Sequence, residues 1–415
     1  MLKKILTSSL WLLIGNSVGK FAIFMANIVA ARILTQDLFG QFMMIRNTIS
    51  TIEGIISGSQ GSPAIKRVAE VSNKENYQTV ISSLFIINIT MVIFLSIIIL
   101  VSSSFIVNTF FIGKENLIIG LYIGCILLVS TTLASIIQSI LTGLEKYKVI
   151  AFSSIVSSII SFPIIILFIN EFKLYGAIYG ISFYFFVDFI IKFIQFKKYY
   201  KFNIFKFDIK KVIKESKSLL LFSVPILITI IINGFSFWYA RVYIVNENAN
   251  FTEIAVFDAA YQWLSIIMII TGATTSVILP MLAKNISAQK EDINKIFNFN
   301  LAVNLCISTF IAFIFIYFSK EIMYIYGENY VSGANILSIL AINAVFFSAA
   351  AVYNRYFIAI SKPSYVMLSV LVSALSMGIF MSLDYYHGAE KLAYSFLVFY
   401  IMNTFIFLSL KIRGN

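Results

Sequence analysis

The sequence predicts an all-α polytopic membrane protein: twelve transmembrane helices in two six-helix lobes, a 6+6 parallel repeat around a central cavity. Three observations carry that prediction. Hydrophobic residues make up 60% of the 415 and charged residues 12%, against about 25% charged in soluble domains. The apolar residues gather into twelve runs, each near the ~20 residues that cross ~30 Å of hydrocarbon. One long basic gap divides the runs six and six. A mean hydropathy of +0.91 excludes a soluble enzyme, a disordered regulator and a nucleic-acid binder, because no compact core hides that much apolar surface from water.

Span one runs over about 9–31. Its start, MLKKILTSSLWLLIG, has the look of a secretory signal, but the apolar run is too long for a cleaved core and lacks a small-residue cleavage site. It reads as a retained span. The others follow at about 39–62, 80–104, 117–141, 149–169, 174–196, 218–245, 254–283, 297–318, 332–360, 364–383 and 392–410. Residues 1–196 form an N-terminal lobe, 197–217 a basic connector and 218–415 a C-terminal lobe. Phe and Ile alternate with Lys in the connector, which suggests a short helix on the membrane surface.

The net charge of +12 is a topology signal rather than a polyanion footprint. Of the 31 Lys and Arg residues, 21 lie in gaps on the side of the two termini and five in gaps on the other side. Positive charge marks the cytoplasmic face. Both termini are therefore expected in the cytoplasm, in an inner membrane. The lobes also echo one another at an offset of 217: Pro63 against Pro280, and the turn Gly143–Lys148 against Ile360–Tyr365. Six spans is an even number, so the halves run in the same direction, as in parallel-repeat transporters.

Catalytic chemistry has little to work with. His387 is the only histidine, Cys125 and Cys306 lie in apolar runs without metal-ligand spacing, and no outer gap reaches beyond about 15 residues, too short for a folded catalytic domain. GNSVGKF at 15–21 resembles a phosphate loop, but its glycines are one residue too close and it ends in Phe21. No cofactor, metal or nucleotide is expected, and the chain reads as a transporter rather than an enzyme.

Eight ionisable residues remain at membrane depth: Lys20, Arg46, Glu53, Asp188, Lys192, Arg241, Asp258 and Arg355. Each costs ~2.5–3.5 kcal/mol at a helix centre, so each is expected to face water or a partner. Five are cationic and three anionic. That excess suits an anionic cargo group such as a phosphate or pyrophosphate, for which Arg offers a planar donor fork and Lys a point charge. Lys20 and Arg46 are the leading substrate candidates. Glu53, on the same face as Arg46, either offsets it or couples transport to protons. Asp188 and Lys192 are spaced as an intrahelical ion pair, with Lys192 expected to snorkel. Arg241 and Asp258 fall at similar depth on consecutive spans, the setting of a structural pair. Arg355 either snorkels or guards an inward entrance.

Helix breakers sit at matching places, Gly15, Asn16 and Gly19 in span one and Pro225, Asn233 and Gly234 in span seven, where broken helices often mark a transport site. Trp238, Tyr239, Tyr243, Tyr385 and Tyr386 cluster at outer span ends. They read first as an interfacial aromatic belt, and only secondarily as platforms for sugars.

AARILTQDLFGQF at 30–42, GLEKYK at 143–148 and SVPILITIIINGFSFWYARVYI at 223–244 resemble the polysaccharide-repeat (O-antigen, Wzx-type) flippases of the multidrug/oligosaccharidyl-lipid/polysaccharide exporter superfamily. The resemblance covers essentially the whole chain and rests on architecture more than on strict motif. It implies a flippase that moves an undecaprenyl-pyrophosphate-linked oligosaccharide from the cytoplasmic to the periplasmic leaflet. O-antigen units of lipopolysaccharide biosynthesis are the foremost cargo, with capsule or related glycans as alternatives. Membrane lipids, and other polysaccharide assembly proteins, would be its partners. Cationic cavity residues are expected in such proteins, and the matching candidates are Lys20, Arg46, Arg241 and Arg355. Two alternatives remain, a multidrug or cation antiporter of the same superfamily and a polytopic glycan polymerase or ligase. The first needs buried carboxylates to hold a cation, and the membrane-depth charge balance has the opposite sign; the second needs an extramembrane catalytic segment.

Overall fold

The computed structural model describes residues 2–71, 77–111, 114–199, 209–248, 250–287, 293–360 and 362–414. Everything regular among them is helical. In chain order the helices are α1 (Leu2–Ile33), α2 (Gln36–Val71), α3 (Tyr77–Phe110), α4 (Glu115–Gly143), α5 (Tyr147–Tyr199), α6 (Ile209–Asn248), α7 (Thr252–Ser287), α8 (Ile293–Tyr317), the short α9 (Ser319–Tyr324), α10 (Ala334–Ala359), α11 (Pro363–Met381) and α12 (Gly388–Gly414). A 3₁₀ turn, Glu328–Gly333, separates α9 from α10. Eight helices of the described residues are long and apolar enough to cross a bilayer, and the chain is a multi-pass membrane protein.

α5 is two helices folded back on each other. Lys173 leaves helical geometry at φ 49°, ψ −119°, and the arms on either side pack as a hairpin. A Cβ on Gly176 would fall on the carbonyl of Phe168, and one on Gly180 would press on Ile165. The 169–174 gap in the hydropathy pattern is therefore a real reversal. With the two arms counted separately, the described residues contain twelve long helical segments, as the apolar runs predict. Gly176→Ala is expected to cost about 1–3 kcal/mol, because rigid backbone opposes the new methyl. Gly61→Ala, where nothing lies within 4 Å of the new atom, should be neutral or raise the unfolding temperature. Thermal unfolding of the two variants side by side checks this.

Two expectations are modified. The second half of the basic connector is not a separate surface helix, because α6 begins at Ile209 and runs without a break through Gly234. Residues 200–208 lie outside the described residues. α1 is likewise one continuous helix through Gly15, Asn16 and Gly19. Gly19 serves close packing instead: a Cβ there would come within 2.5 Å of the Tyr184 hydroxyl, so its bare backbone lets α1 settle against the second arm of α5. The side chain of Pro225 is outside the described set.

The chain divides into two compact units, residues 1–34 with 41–231, and 35–40 with 232–415. The first has a core of Val68, Leu84, Ile137, Ile140, Ile150 and Phe196, drawn from α2 to α5. Its portion of α6 is tied to α2 by Arg67, whose Nη2 donates to Glu215 Oε2 at 3.0 Å. The second is built on rings: Phe237 lies 4.3 Å from Phe396 and 4.8 Å from Phe399 by centroid, and Phe357 stacks on Phe407 at 5.5 Å.

Residues 35–40, which lead into α2 and form its first turn, belong to this second unit. Gln36 Nε2 donates to the carbonyl of Asn329 at 2.7 Å, and the amide of Phe251 donates to Asp37 Oδ1 at 3.2 Å. Phe39 meets Tyr330 edge to face. Gly40 allows the approach, since a Cβ there would fall on the carbonyl of Phe251.

Candidate functional site

The eight membrane-depth ionisable residues sort by their surroundings. Four of them form two buried ion pairs, one in each unit.

In the first unit the pair is Asp188–Lys192, on the second arm of α5. Spacing i, i+4 brings the groups onto one helical face. Lys192 does not snorkel: it is 1% exposed, and its ammonium donates both to Asp188 and to Gln138 Oε1 on α4, the latter at 2.6 Å. A buried ammonium keeps its charge where acceptors surround it, and Gln138 supplies one that hydropathy could not reveal. Ser154 and Ser157 on the first arm each place Oγ 3.4 Å from Asp188 Oδ1. They belong to a stripe of small buried residues (Ser153, Ser154, Ser157, Ser158 and Ser161) that lets the arms approach closely.

In the second unit Arg241 on α6 meets Asp258 on α7, with Nε at 3.2 Å and Nη2 at 2.9 Å from the same Oδ1. Nη1 donates to the carbonyl of Phe237 at 3.1 Å. The rings of Phe257, Tyr261 and Phe396 surround the guanidinium carbon at 5.2, 5.3 and 5.2 Å. Hydrogen bonds and ring faces together offset the removal of this charge from water.

The other four are not so enclosed. Lys20 is exposed on α1, beside the exposed Phe21, while Phe24, Asn27 and Ile28, one and two turns further along the same helical face, are buried. Arg46 and Glu53 are half-buried on α2. Seven residues set them two turns apart on one face, about 10 Å along the axis. Arg355 is half-buried on α10, in the second unit. Among the described residues no carboxylate pairs with Lys20 or Arg355. The two buried pairs cancel their own charge, so Lys20 and Arg355 carry cationic charge that no carboxylate offsets among the described residues. A lysine exposed in mid-span must face a hydrated surface or distort the bilayer, and the first is the cheaper arrangement.

The described residues contain no grouping of His, Cys, Asp and Glu able to hold a metal ion. Near the end of α6 and the start of α12 lies a further ion pair that sequence reasoning missed. Lys391, fully buried, donates to Glu247 Oε1 at 3.3 Å and lies 4.9 Å over the ring of Tyr243. Its gap position hid it, because a lysine between spans reads as solvated.

The sequence profile of the family described as polysaccharide biosynthesis protein matches residues 5–286. No curated protein matches the chain in sequence. Solved structures match across nearly its whole length. An inward-facing multidrug resistance MATE family transporter of the MOP superfamily is 13% identical, over 96% of this chain and 96% of its own, with a TM-score of 0.74. The lipid II flippase MurJ, in an inward closed conformation, is 17% identical over 96% of this chain and 87% of its own, at 0.73. A MOP superfamily transporter from Pyrococcus furiosus is 15% identical over 98% and 93%, at 0.70. At such identities the likeness is one of fold, shared with membrane transporters and flippases.

Proposed function

The chain belongs to the polysaccharide biosynthesis protein family, and from that premise we propose that it flips an undecaprenyl-pyrophosphate-linked oligosaccharide from the cytoplasmic to the periplasmic leaflet by alternating access. O-antigen repeat units are the proposed cargo, in a bacterial inner membrane with both chain termini in the cytoplasm. One observation carries the reading: once the buried pairs cancel, Lys20 and Arg355 stand at membrane depth with no carboxylate partner among the described residues. A pyrophosphate needs such donors, since it is the part of the cargo that hydrocarbon excludes most strongly. No bond in the cargo has to break, so the proposed activity is transport and not catalysis.

The antiporter alternative wants a carboxylate free to hold a cation. Asp188 and Asp258 are each already held by a basic side chain, which leaves Glu53 as the one membrane-depth carboxylate available for ion coupling. That balance favours the anionic cargo.

The test is replacement in cells that depend on this gene for a surface glycan. A charge-assisted hydrogen bond is worth about 1.5–3 kcal/mol, so Lys20→Ala and Arg355→Ala should each lower glycan export by roughly ten-fold or more at equal protein abundance. Lys20→Arg should keep much of it. Full export by Lys20→Ala would remove that residue from the path. The glycan that disappears on gene deletion identifies the cargo as O-antigen or capsule.

A further inference from the structure

The second unit holds a cavity of about 530 Å³ between α6 and α11. That is the size of a small-molecule site, roughly 300–1,000 Å³. One wall is aromatic: Phe235, Tyr239 and Tyr243 follow at i, i+4 and i+8 on α6, a strip about 12 Å long. Phe235 and Tyr239 stack at 6.0 Å with their planes 20° apart and remain 55% and 49% exposed. The other wall is Met377, Gly378 and Met381 on α11, and nothing lies within 4 Å of a Cβ added at Gly378. Trp238 is not part of an outward belt; it is buried beside Phe235, ring centroids 5.7 Å apart.

Polar groups mark the cavity's rim. Asp384 lines it and is 86% exposed, and Ser236 and Ser382 add hydroxyls. The nearest ammonium, Lys391, lies 3.8 Å from Asp384 but is fully buried and bonded to Glu247. Two carboxylates, Asp384 and Glu247, thus share one ammonium, and the rim is net negative, which repels phosphate. The hydroxyls of Ser236 and Ser382 already donate to the carbonyls of Ile232 and Ile379, so the exposed Asp384 is the acceptor the rim offers to a ligand. Stacked ring faces with an acidic acceptor at their end suit another chemistry. Sugar rings present apolar C–H faces to aromatics and vicinal hydroxyls that donate to a carboxylate.

We infer that this cleft is a saccharide subsite, in which neutral or amino-sugar rings stack on Phe235 and Tyr239 and donate hydrogen bonds to Asp384. It rests on the reading of the chain as a glycan transporter and adds the part of the cargo recognised by the second unit. The membrane-depth cations of the proposed function serve the pyrophosphate; the cleft serves the glycan.

The experiment uses the full chain in nanodiscs and two probes. One is the oligosaccharide released by mild acid from the cells' own surface glycan, free of lipid and phosphate; the other is polyprenyl phosphate alone. Saturation-transfer NMR detects weak sugar binding, and fluorescence reports the polyprenyl phosphate. Gly378→Leu fills open space, so it should unfold at the wild-type temperature while abolishing the saccharide signal. Tyr239→Ala should weaken saccharide binding about three- to ten-fold. Neither variant should alter polyprenyl phosphate binding. Unchanged saccharide binding in both variants overturns the inference, as does loss of polyprenyl phosphate with the saccharide retained, which would make the cleft a groove for the lipid chain. A wild-type protein that binds polyprenyl phosphate but gives no saccharide signal overturns the subsite and leaves the transport reading intact. A gene deletion that spares every surface glycan sinks the transport reading by itself.

Discussion

Lys192→Met is expected to destabilise the purified protein by about 3–5 kcal/mol, because it strands the Asp188 carboxylate in a closed interior. Asp188→Asn in the same chain should recover most of that loss. The asymmetry follows from what each change leaves behind. The single variant keeps a charge whose strongest partner is gone, and two serine hydroxyls at 3.4 Å are poor substitutes for an ammonium. The double variant keeps hydrogen-bonding capacity toward Ser154 and Ser157 and carries no charge at all. Replacing both members of a buried pair with matched neutral groups is often close to neutral.

Denaturant or thermal unfolding in detergent gives the stability cycle, and a coupling of under about 1 kcal/mol would contradict it. Export of the surface glycan gives the functional arm. The expected result is that the double variant still exports, which assigns Asp188 and Lys192 to holding the arms of α5 and α4 together. A stable double variant that exports nothing would make the pair part of ion coupling.

That pair also shows how far a single sequence reaches. Spacing i, i+4 fixes which face Asp188 and Lys192 share, and hydropathy places them inside a span, so their contact is readable from local rules. Gln138 is not. It is an uncharged residue on another helix, 54 positions away, and nothing in its own neighbourhood marks it as an acceptor. The reversal at Lys173 is legible because a membrane span has a limited length, even though the chain there never loses its helical appearance for more than one residue. The segment 35–40 reads from hydropathy as a plain outer connection running into span two. Its grouping with residues 232–415 depends on Asn329, Tyr330 and Phe251, and no periodicity links positions so distant. The short α9 and the 3₁₀ turn after it escape the same way, since segments of six residues carry too little pattern to be told from loop. Charge is more legible: spacing and depth already couple Asp188 with Lys192 and Arg241 with Asp258, while the Phe237 carbonyl and the three rings that enclose Arg241 lie beyond local rules.

Arg241→Ala should have an effect of comparable size, about 3–5 kcal/mol, through loss of the Asp258 pair and of the three ring faces around it. Arg241→Lys should recover only part. A lysine cannot place two donors on one carboxylate oxygen while a third nitrogen reaches the Phe237 carbonyl, as Arg241 does, and an ammonium does not stack flat on Phe257, Tyr261 and Phe396. The informative variant is the apolar replacement of both partners, Arg241→Leu with Asp258→Leu. Three rings already line the space, so two leucines should pack there and restore unfolding to within about 1.5 kcal/mol of wild type. Measured beside it, glycan export decides what Arg241 does. Export that returns with stability would mean the guanidinium holds α6 to α7 and never meets the cargo, since all three of its nitrogens are committed within the protein. Export that stays lost in a stable double variant would return Arg241 to the pyrophosphate path with Lys20, Arg46 and Arg355. The first result is expected, because a cargo phosphate would have to displace Asp258 from a site enclosed on three sides by aromatic rings.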